Sequence, residues 1–525
     1  MQENELYHAL LDPACYPERP RRVFARDTHI SRLYFTPHFV YKLKKHVNFG
    51  FLDFTSLDRR RFFCDEEKRL NQNHAPDTYL GTVAIRATGK QVKVATEQGA
   101  IVDYAVKMRR LPQSRMLDRL IRRKSPHLED EFKRLVPVLT DLFQTSLSVT
   151  DLSAEELFHR LTFNCQENLA QTEPFCKQLL AREAWQQMHD YTHAALSDSG
   201  LKAKFIQRAR DGLIHEGHGD LHSEHICMTE PVRIYDCIEF NQRFRTNDLL
   251  SEMAFLLMDL DYRGCHKHAM EILEGCCNHL HGLNDPVILQ FFLAYRAWVR
   301  GKVAALTSRD LHLSNRARSA AVRTGQRHFC QALGYLCKPF LVITCGLMGS
   351  GKSTLAGTLA RACNATLIRS DHIRKSEQGI PPSQHEYSGY GQGLYASTVT
   401  QQTYSRMLKE TEKALKQEGS VVVDASFNNS TQRETFEQLA RRLGVPFLTL
   451  WLDTPKSTLI NRLTTRSVRG HDISDGRAEL LDAQQADFAP PKDNEIIEKI
   501  DSSLEVDYNV QLVLSRILID HGWQP

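Results

Sequence analysis

The stretch Phe340-Leu341-Val342-Ile343-Thr344-Cys345-Gly346-Leu347-Met348-Gly349-Ser350-Gly351-Lys352-Ser353-Thr354 decides how the C-terminal half is read. An apolar run of strand length ends in a glycine-rich loop, and the loop opens into a helix-forming segment, Leu355 to Arg361. That order is what a phosphate-binding P-loop requires. Gly346, Gly349 and Gly351, with Ser350 among them, let backbone N–H groups converge on phosphate oxygens. Lys352 can reach the β- and γ-phosphates, and the Ser353 hydroxyl, followed by Thr354, can hold Mg²⁺ where the helix dipole favours an anion. ATP and Mg²⁺ are the expected ligands.

Beyond the loop, strands and helices alternate: Leu341 to Cys345, Thr366 to Ile368, Val421 to Val423 and Phe447 to Trp451, with helical stretches between them. This predicts an α/β domain over residues 340–525 with a mainly parallel sheet. Upstream, short β-rich runs such as Val40 to Leu43 and Gln91 to Ala95 flank a charged helix-like segment, Leu57 to Asn71. From Ser114 to about Gly334, apolar residues recur at helical spacing. The N-terminal part, residues 1–335, therefore reads as an α+β domain with a small β-rich lobe and a large helical lobe. Cys337-Lys338-Pro339 breaks the pattern, which makes 336–339 the expected linker.

A chain of 525 residues is too long for a single core, and 42% hydrophobic with 25% charged residues is ordinary globular composition. The formal charge of +4 does not by itself imply nucleic acid. The locally basic run Lys107 to Lys124 reads first as a solvated helix face, so nucleic acid is an open but unfavoured partner. Met1 to Glu5 carries acidic residues where a secretory signal needs positive charge, and the apolar run Met253 to Met258 is stopped by Asp259 and Asp261, so no membrane span is expected. Thirteen cysteines, an odd count without a Cys-x-x-Cys pair, fit reduced thiols in a cytoplasmic protein.

In parallel sheets the reacting groups gather after the strand ends. After the second strand come Asp371, placed to accept a proton from an attacking hydroxyl, and Arg374, one turn on, placed to hold an anionic substrate; Asp371 could equally cap the next helix. Asp424 ends the third strand, where a carboxylate acts on Mg²⁺. Arg462, Arg466 and Arg469 lie at a helix end running into a loop and could close over a transferring phosphoryl group.

From Pro339 to Pro491 the sequence resembles the small P-loop kinases of the AAA_33 type, which include polynucleotide kinase, gluconate kinase and zeta-toxin-like phosphotransferases. The likeness rests on GLMGSGKST, Ser370-Asp371…Arg374, the Asp424 strand with Arg433 after it, and an arginine lid ending in Asp472-Ile473-Ser474-Asp475. It implies ATP as donor, Asp371 as base, and Arg374 and Arg433 as substrate contacts.

A second constellation is His218-Gly219-Asp220-Leu221-His222-Ser223-Glu224-His225, followed by Val232-Arg233-Ile234-Tyr235-Asp236. It resembles the catalytic and metal-binding loops of the aminoglycoside phosphotransferase family. The resemblance implies Asp220 as proton acceptor and Asp236 as Mg²⁺ ligand. His225 stands where that family has a metal-binding asparagine, and Phe24 to Phe39 contains no glycine for a phosphate-covering loop. Alternation in Val40-Tyr41-Lys42 puts Lys42 on a face where a nucleotide-binding lysine would lie, with Glu66 as its expected ion-pair partner and Glu67 the fallback. Asp248 resembles a buried aspartate that braces the catalytic loop. A zinc site from the histidines at 215, 218, 222 and 225 is disfavoured, because their spacing matches no known zinc pattern. Nearly the full chain, including Phe49-Gly50-Phe51-Leu52-Asp53-Phe54 and Asp236-Cys237-Ile238-Glu239-Phe240-Asn241, is similar to the bacterial bifunctional aminoglycoside phosphotransferase/ATP-binding proteins.

The expected function is ATP- and Mg²⁺-dependent phosphoryl transfer to a hydroxyl of a small-molecule acceptor. The alternatives are a nucleotide-binding regulatory ATPase without its own acceptor and a polynucleotide 5′-hydroxyl kinase.

Overall fold

The computed structural model describes residues 2–50, 52–311, 313–381, 392–417, 419–469 and 477–523, without the side chains of 466–469. The chain forms two compact units: Met1–Arg160 with Ala203–Leu289, and Leu161–Lys202 with Gln290–Pro525. The expected seam at 336–339 thus falls inside the second unit.

In the first unit a six-stranded antiparallel sheet runs in the order Phe24–Asp27, Ser31–Phe35, Phe39–Lys44, Ala100–Arg109, Tyr79–Thr88, Gln91–Val94. Successive side chains of a strand point to opposite faces. Tyr41 and Leu43 accordingly enter a core with Tyr34, Ile85 and Ala105, while Val40 packs with Cys64, Tyr79 and Val106 on the other face. That second face lies under the helix Leu57–Asn71, whose N-cap Ser56 accepts from the Arg59 N–H and whose buried stripe is Arg60, Cys64, Glu67 and Asn71. Lys42 and Lys44 share Val40's face. The helix Leu249–Tyr262 is buried continuously from Leu249 to Asp261 and is capped by the Asp248 carboxylate. The basic run is not one helix: it starts in the strand Ala100–Arg109, passes a short turn and ends beyond the helix Leu117–Arg122. Lys107 lies 4.2 Å from the Phe39 ring centroid instead of standing free in solvent.

The second unit carries a five-stranded sheet in the order Thr366–Arg369, Val421–Asp424, Leu341–Cys345, Phe447–Trp451, Ile497–Lys499, parallel throughout. The expected parallel sheet is present, with Ile497–Lys499 an additional edge strand. Leu341–Cys345, buried at every position, is the central strand, as its unbroken apolar run requires. Helices Ser397–Leu415 and Ser430–Leu443 supply Met407, Leu415, Phe436 and Leu439 to the core of one face. The chain passes first to one side of the central strand and then to the other, which opens a crevice at the carboxyl edge of the sheet.

Helices from before residue 339 belong to this unit by packing. In the helix Asn315–Leu336, a Cβ at Gly334 would lie 2.3 Å from the Ala362 carbonyl oxygen, so the glycine permits contact with the end of the P-loop helix, Lys352–Ala362. The buried Gln511 side chain, on the helix Val506–His521, accepts from the Ala181 N–H at 2.8 Å and donates to the Leu179 carbonyl at 3.1 Å. Among the described residues no helix is long and apolar enough to cross a membrane. All thirteen cysteines are free.

Candidate active site

Gly346, Gly349 and Gly351 adopt φ of 144°, 79° and 102°. A Cβ at Gly346 would lie 2.8 Å from the Leu452 carbonyl oxygen, and one at Gly349 2.9 Å from Leu463 Cγ. The loop therefore needs glycine for both its turn and its packing. Gly351 is the N-cap of Lys352–Ala362. Lys352 Nζ donates to the Leu347 carbonyl at 2.7 Å, within its own loop. The Ser350 hydroxyl is buried without a hydrogen-bond partner.

The P-loop forms one wall of a cavity of about 1180 Å³, ample for a nucleotide together with an acceptor. Ser353, Asp424, Asp371 and Arg374 line the same cavity. Asp424 is buried, bonds the Ser353 hydroxyl and meets Arg369 Nε at 3.1 Å. Burial raises its pKa above the ordinary aspartate value, opposed by Ser353, Lys352 and Arg369. Asp371 does not cap its helix; its Oδ1 accepts from Arg374 Nη1 at 3.0 Å. Arg374 is buried, lies 4.7 Å from the Tyr395 ring centroid, and keeps an Nε without a partner.

Arg433 behaves differently from expectation. Arg433 is not among the residues lining this cavity. It is 1% exposed, forms a fork on Glu495 at 2.6 and 2.9 Å, and donates to the carbonyls of Phe427 and Ala489. With all three of its nitrogens engaged, it holds the turn after Asp424, where Phe427 adopts a φ of 45°, rather than lining the cavity. Arg462, by contrast, lines the cavity and donates to the P-loop carbonyl of Ser350 at 3.1 Å and to Ser502 at 3.1 Å. Arg466 and Arg469 end the helix Lys456–Arg469, but their side chains, like Asp472 to Asp475, lie outside the described residues. Gln484, which sequence reasoning missed, accepts from the Met348 N–H at 2.8 Å and ties the helix Leu481–Asp487 to the P-loop. No local sequence signal marks it.

In the first unit Lys42 Nζ meets Asp236 at 2.6 Å and Glu67 at 2.8 Å. The partner is Glu67 and not Glu66, because Glu67 lies on the buried stripe; Glu66 bonds Arg69 and Arg245. Lys44 joins Glu67 to Glu239. Burial opposes the charge on Lys42, but Asp236 and Glu67 outweigh it, so its pKa stands well above the ordinary lysine value. For Asp236, burial is likewise outweighed by Lys42 and His225, and its pKa falls. Asp236 has a φ of 68°, and its N–H donates to the Tyr79 hydroxyl at 3.0 Å.

The segment His218–His225 folds back toward Asp236, with His225 Nε2 at 3.5 Å from Asp236 Oδ2. Burial pushes the His218 imidazole down to about 3, and its Nε2 donates to the Tyr235 carbonyl. Asp248 does not brace this segment: it forms a fork with Arg208 at 2.6 and 2.7 Å. The brace is Glu252, which accepts from the Gly219 N–H, joined by Asp259, which accepts from the Ser223 N–H at 3.0 Å. Acidic residues inside the apolar run Leu249–Leu260 were the available signal, since a buried carboxylate needs donors.

Comparison with known proteins places an AAA domain of the AAA_33 family at residues 341–491. The C-terminal region is thus a P-loop nucleotide-binding domain. Over 467 residues the chain is 24% identical to the uncharacterized protein Rv2004c of Mycobacterium tuberculosis strain H37Rv, spanning 88% of this chain and 90% of that protein. An uncharacterized protein of Mycobacterium bovis, Mb2027c, is equally similar. Among solved structures, a gluconokinase from Sinorhizobium meliloti 1021 matches at 21% identity over 35% of this chain and 95% of that one, with a TM-score of 0.26. A sugar kinase from Janibacter sp. HTCC2649 matches at 18% identity over 35% of this chain and 96% of that one, again with a TM-score of 0.26.

Proposed function

We propose that the C-terminal P-loop domain is an ATP- and Mg²⁺-dependent kinase that transfers the γ-phosphoryl group to a hydroxyl of a small molecule. The observation that carries this reading is one cavity that brings together the P-loop, the Ser353–Asp424 pair and the Asp371–Arg374 pair. The residues fit the ligands: a loop whose Gly346 and Gly349 have no room for a Cβ, and buried polar atoms at Ser350 and Arg374 without partners. Ser353 and Asp424 would hold Mg²⁺, which when bound neutralises phosphate charge. Lys352 exchanges its loop carbonyl for phosphate oxygens, while Arg466 and Arg469 are the further donors for the transferring group. Asp371 takes the acceptor's proton, and Arg374 orients the acceptor through its unpaired Nε.

The test is the full chain incubated with γ-labelled ATP and acceptors pooled by class, with a 5′-hydroxyl oligonucleotide in a separate arm. Label should appear in a small molecule and vanish in Lys352→Ala and Asp371→Asn. Transfer undiminished in Lys352→Ala sinks the assignment. Hydrolysis without any labelled product favours a regulatory ATPase, and label on the oligonucleotide favours a nucleic-acid kinase.

A second reading concerns the first unit. The Lys42–Glu67 pair beside Asp236, with the Asp220 segment facing it, supports a phosphotransferase-like nucleotide site in which Asp220 is the base and Asp236 with His225 the metal position. ATP binding that persists in Lys352→Ala and is lost when Lys42→Met is added to it is the expected signature. Aminoglycosides as acceptors do not follow from this arrangement.

A further inference from the structure

Asp220, His222 and His225 present ligand atoms that all lie within 4.8 Å of one another. Two separations in this cluster are informative: His222 Nε2 to Asp220 Oδ2 is 3.4 Å, and His225 Nε2 to Asp236 Oδ2 is 3.5 Å. Both exceed the usual hydrogen-bond range of about 2.7–3.2 Å. Each of the two equals the separation of neighbouring ligand atoms around an ion with bonds of about 2.0–2.1 Å, about 3.3–3.5 Å. Asp220 Oδ2 lies 3.7 Å from His225 Nδ1, so closure of the three around one ion takes a small side-chain movement.

The ring of His225 is already oriented for ligation. Its Nδ1 donates to the Asp220 carbonyl at 2.9 Å, which leaves the Nε2 lone pair directed at the Asp236 carboxylate. A backbone acceptor on the far ring nitrogen is the arrangement that fixes metal-binding imidazoles. His222 Nδ1 receives the Glu224 N–H at 3.3 Å, so ligation through Nε2 moves the ring proton to Nδ1 and gives up that long contact. Asp236 offers Oδ2, its Oδ1 being held by Lys42. His218 is committed to Tyr235 and the Asp220 N–H, and His215 to Ser146, Ser148 and Gly212. The four-histidine site disfavoured on spacing is therefore not what forms; two histidines and the Asp220 carboxylate converge instead, with Asp236 beside His225.

We propose that Asp220, His222 and His225, with Asp236 adjacent, bind one divalent transition ion of the Zn²⁺ or Co²⁺ type in preference to Mg²⁺. Imidazole nitrogens suit borderline transition ions, whereas Mg²⁺ demands oxygen ligands. A ligated Asp220 cannot also accept a proton from a hydroxyl, so the ion holds any phosphoryl transfer by this unit off. That consequence rests on the kinase-like reading of the first unit; the site itself does not.

The experiment is a Co²⁺ titration of the full, EDTA-treated and nucleotide-free chain, followed by visible d–d absorption. One equivalent should bind with bands of nitrogen and oxygen ligation, undisturbed by millimolar Mg²⁺. His222→Ala/His225→Ala should lose the bands, and the milder His225→Asn should weaken Co²⁺ by at least about tenfold, since loss of even an outer partner of a ligand costs that much. Unchanged affinity in folded His225→Asn, or stoichiometric displacement of Co²⁺ by Mg²⁺ from the native chain, overturns the proposal. Because no nucleotide is present, neither result depends on the kinase assignments.

Discussion

Replacing Arg433 by Met separates a structural arginine from a substrate-binding one. The side chain is 2% exposed and bonds Glu495 through two nitrogens, so the substitution strands a carboxylate that is itself 16% exposed. Breaking one side of a buried ion pair costs about 3–5 kcal/mol. Partial hydration of Glu495 argues for the lower end, about 3 kcal/mol. For a unit of this size, roughly 2–4 °C per kcal/mol gives a fall of about 6–12 °C in the melting transition of the P-loop unit. The assay is a thermal melt of the full chain alongside calorimetric ATP binding at low temperature. Because Arg433 stands apart from the residues lining the cavity, ATP affinity should stay within about threefold of the native value. An unchanged melting temperature combined with lost acceptor turnover refutes the reasoning and restores Arg433 to the substrate.

Gly346→Ala forces a Cβ to within 2.8 Å of a backbone carbonyl at a φ of 144°, so calorimetry should show ATP binding weakened by at least about tenfold. Asp371→Asn should lower acceptor-dependent turnover by about a hundredfold to ten-thousandfold while ATP affinity, measured separately, changes little. Asp424 has its folded pKa raised by burial, so the folded state binds its proton more tightly than the unfolded chain does. The metal-free unit should therefore lose stability as pH rises from the ordinary aspartate value through the raised one, while Mg²⁺ affinity grows over the same window. Melts and Mg²⁺ titrations across pH check both slopes, and Asp424→Asn should flatten them. Glu67→Gln should lower the melting temperature of the first unit by more than Glu66→Gln does, since Glu67 serves both Lys42 and Lys44.

The P-loop was legible because its chemistry is local: glycines, lysine and hydroxyl lie in one run between a strand and a helix. The placement of Asp371 and Asp424 beside the P-loop was legible because strand ends in a parallel sheet converge on one edge. The choice of Glu66 failed on helix phase. The buried stripe is Arg60, Cys64, Glu67 and Asn71, at helical spacing through the apolar Cys64, and it leaves Glu66 off that face. Arg433 was misread because its partner, Glu495, is remote in sequence and belongs to no motif. The Asp220–His222–His225 convergence depends on a turn that residue spacing does not encode. The packing of residues 161–202 and 290–336 with the P-loop domain was hidden too, because a helical pattern does not say which neighbour covers its apolar face.

The contacts of Gly334 and Gln511 set limits on how this chain can be divided. A fragment beginning at the proline before the central strand keeps the whole P-loop, yet strips the Gln511 amide of both its backbone partners and bares the end of the P-loop helix that Gly334 covers. Such a truncation would aggregate for reasons unrelated to catalysis, so the phosphate-binding half is best produced with the helices that precede it in sequence.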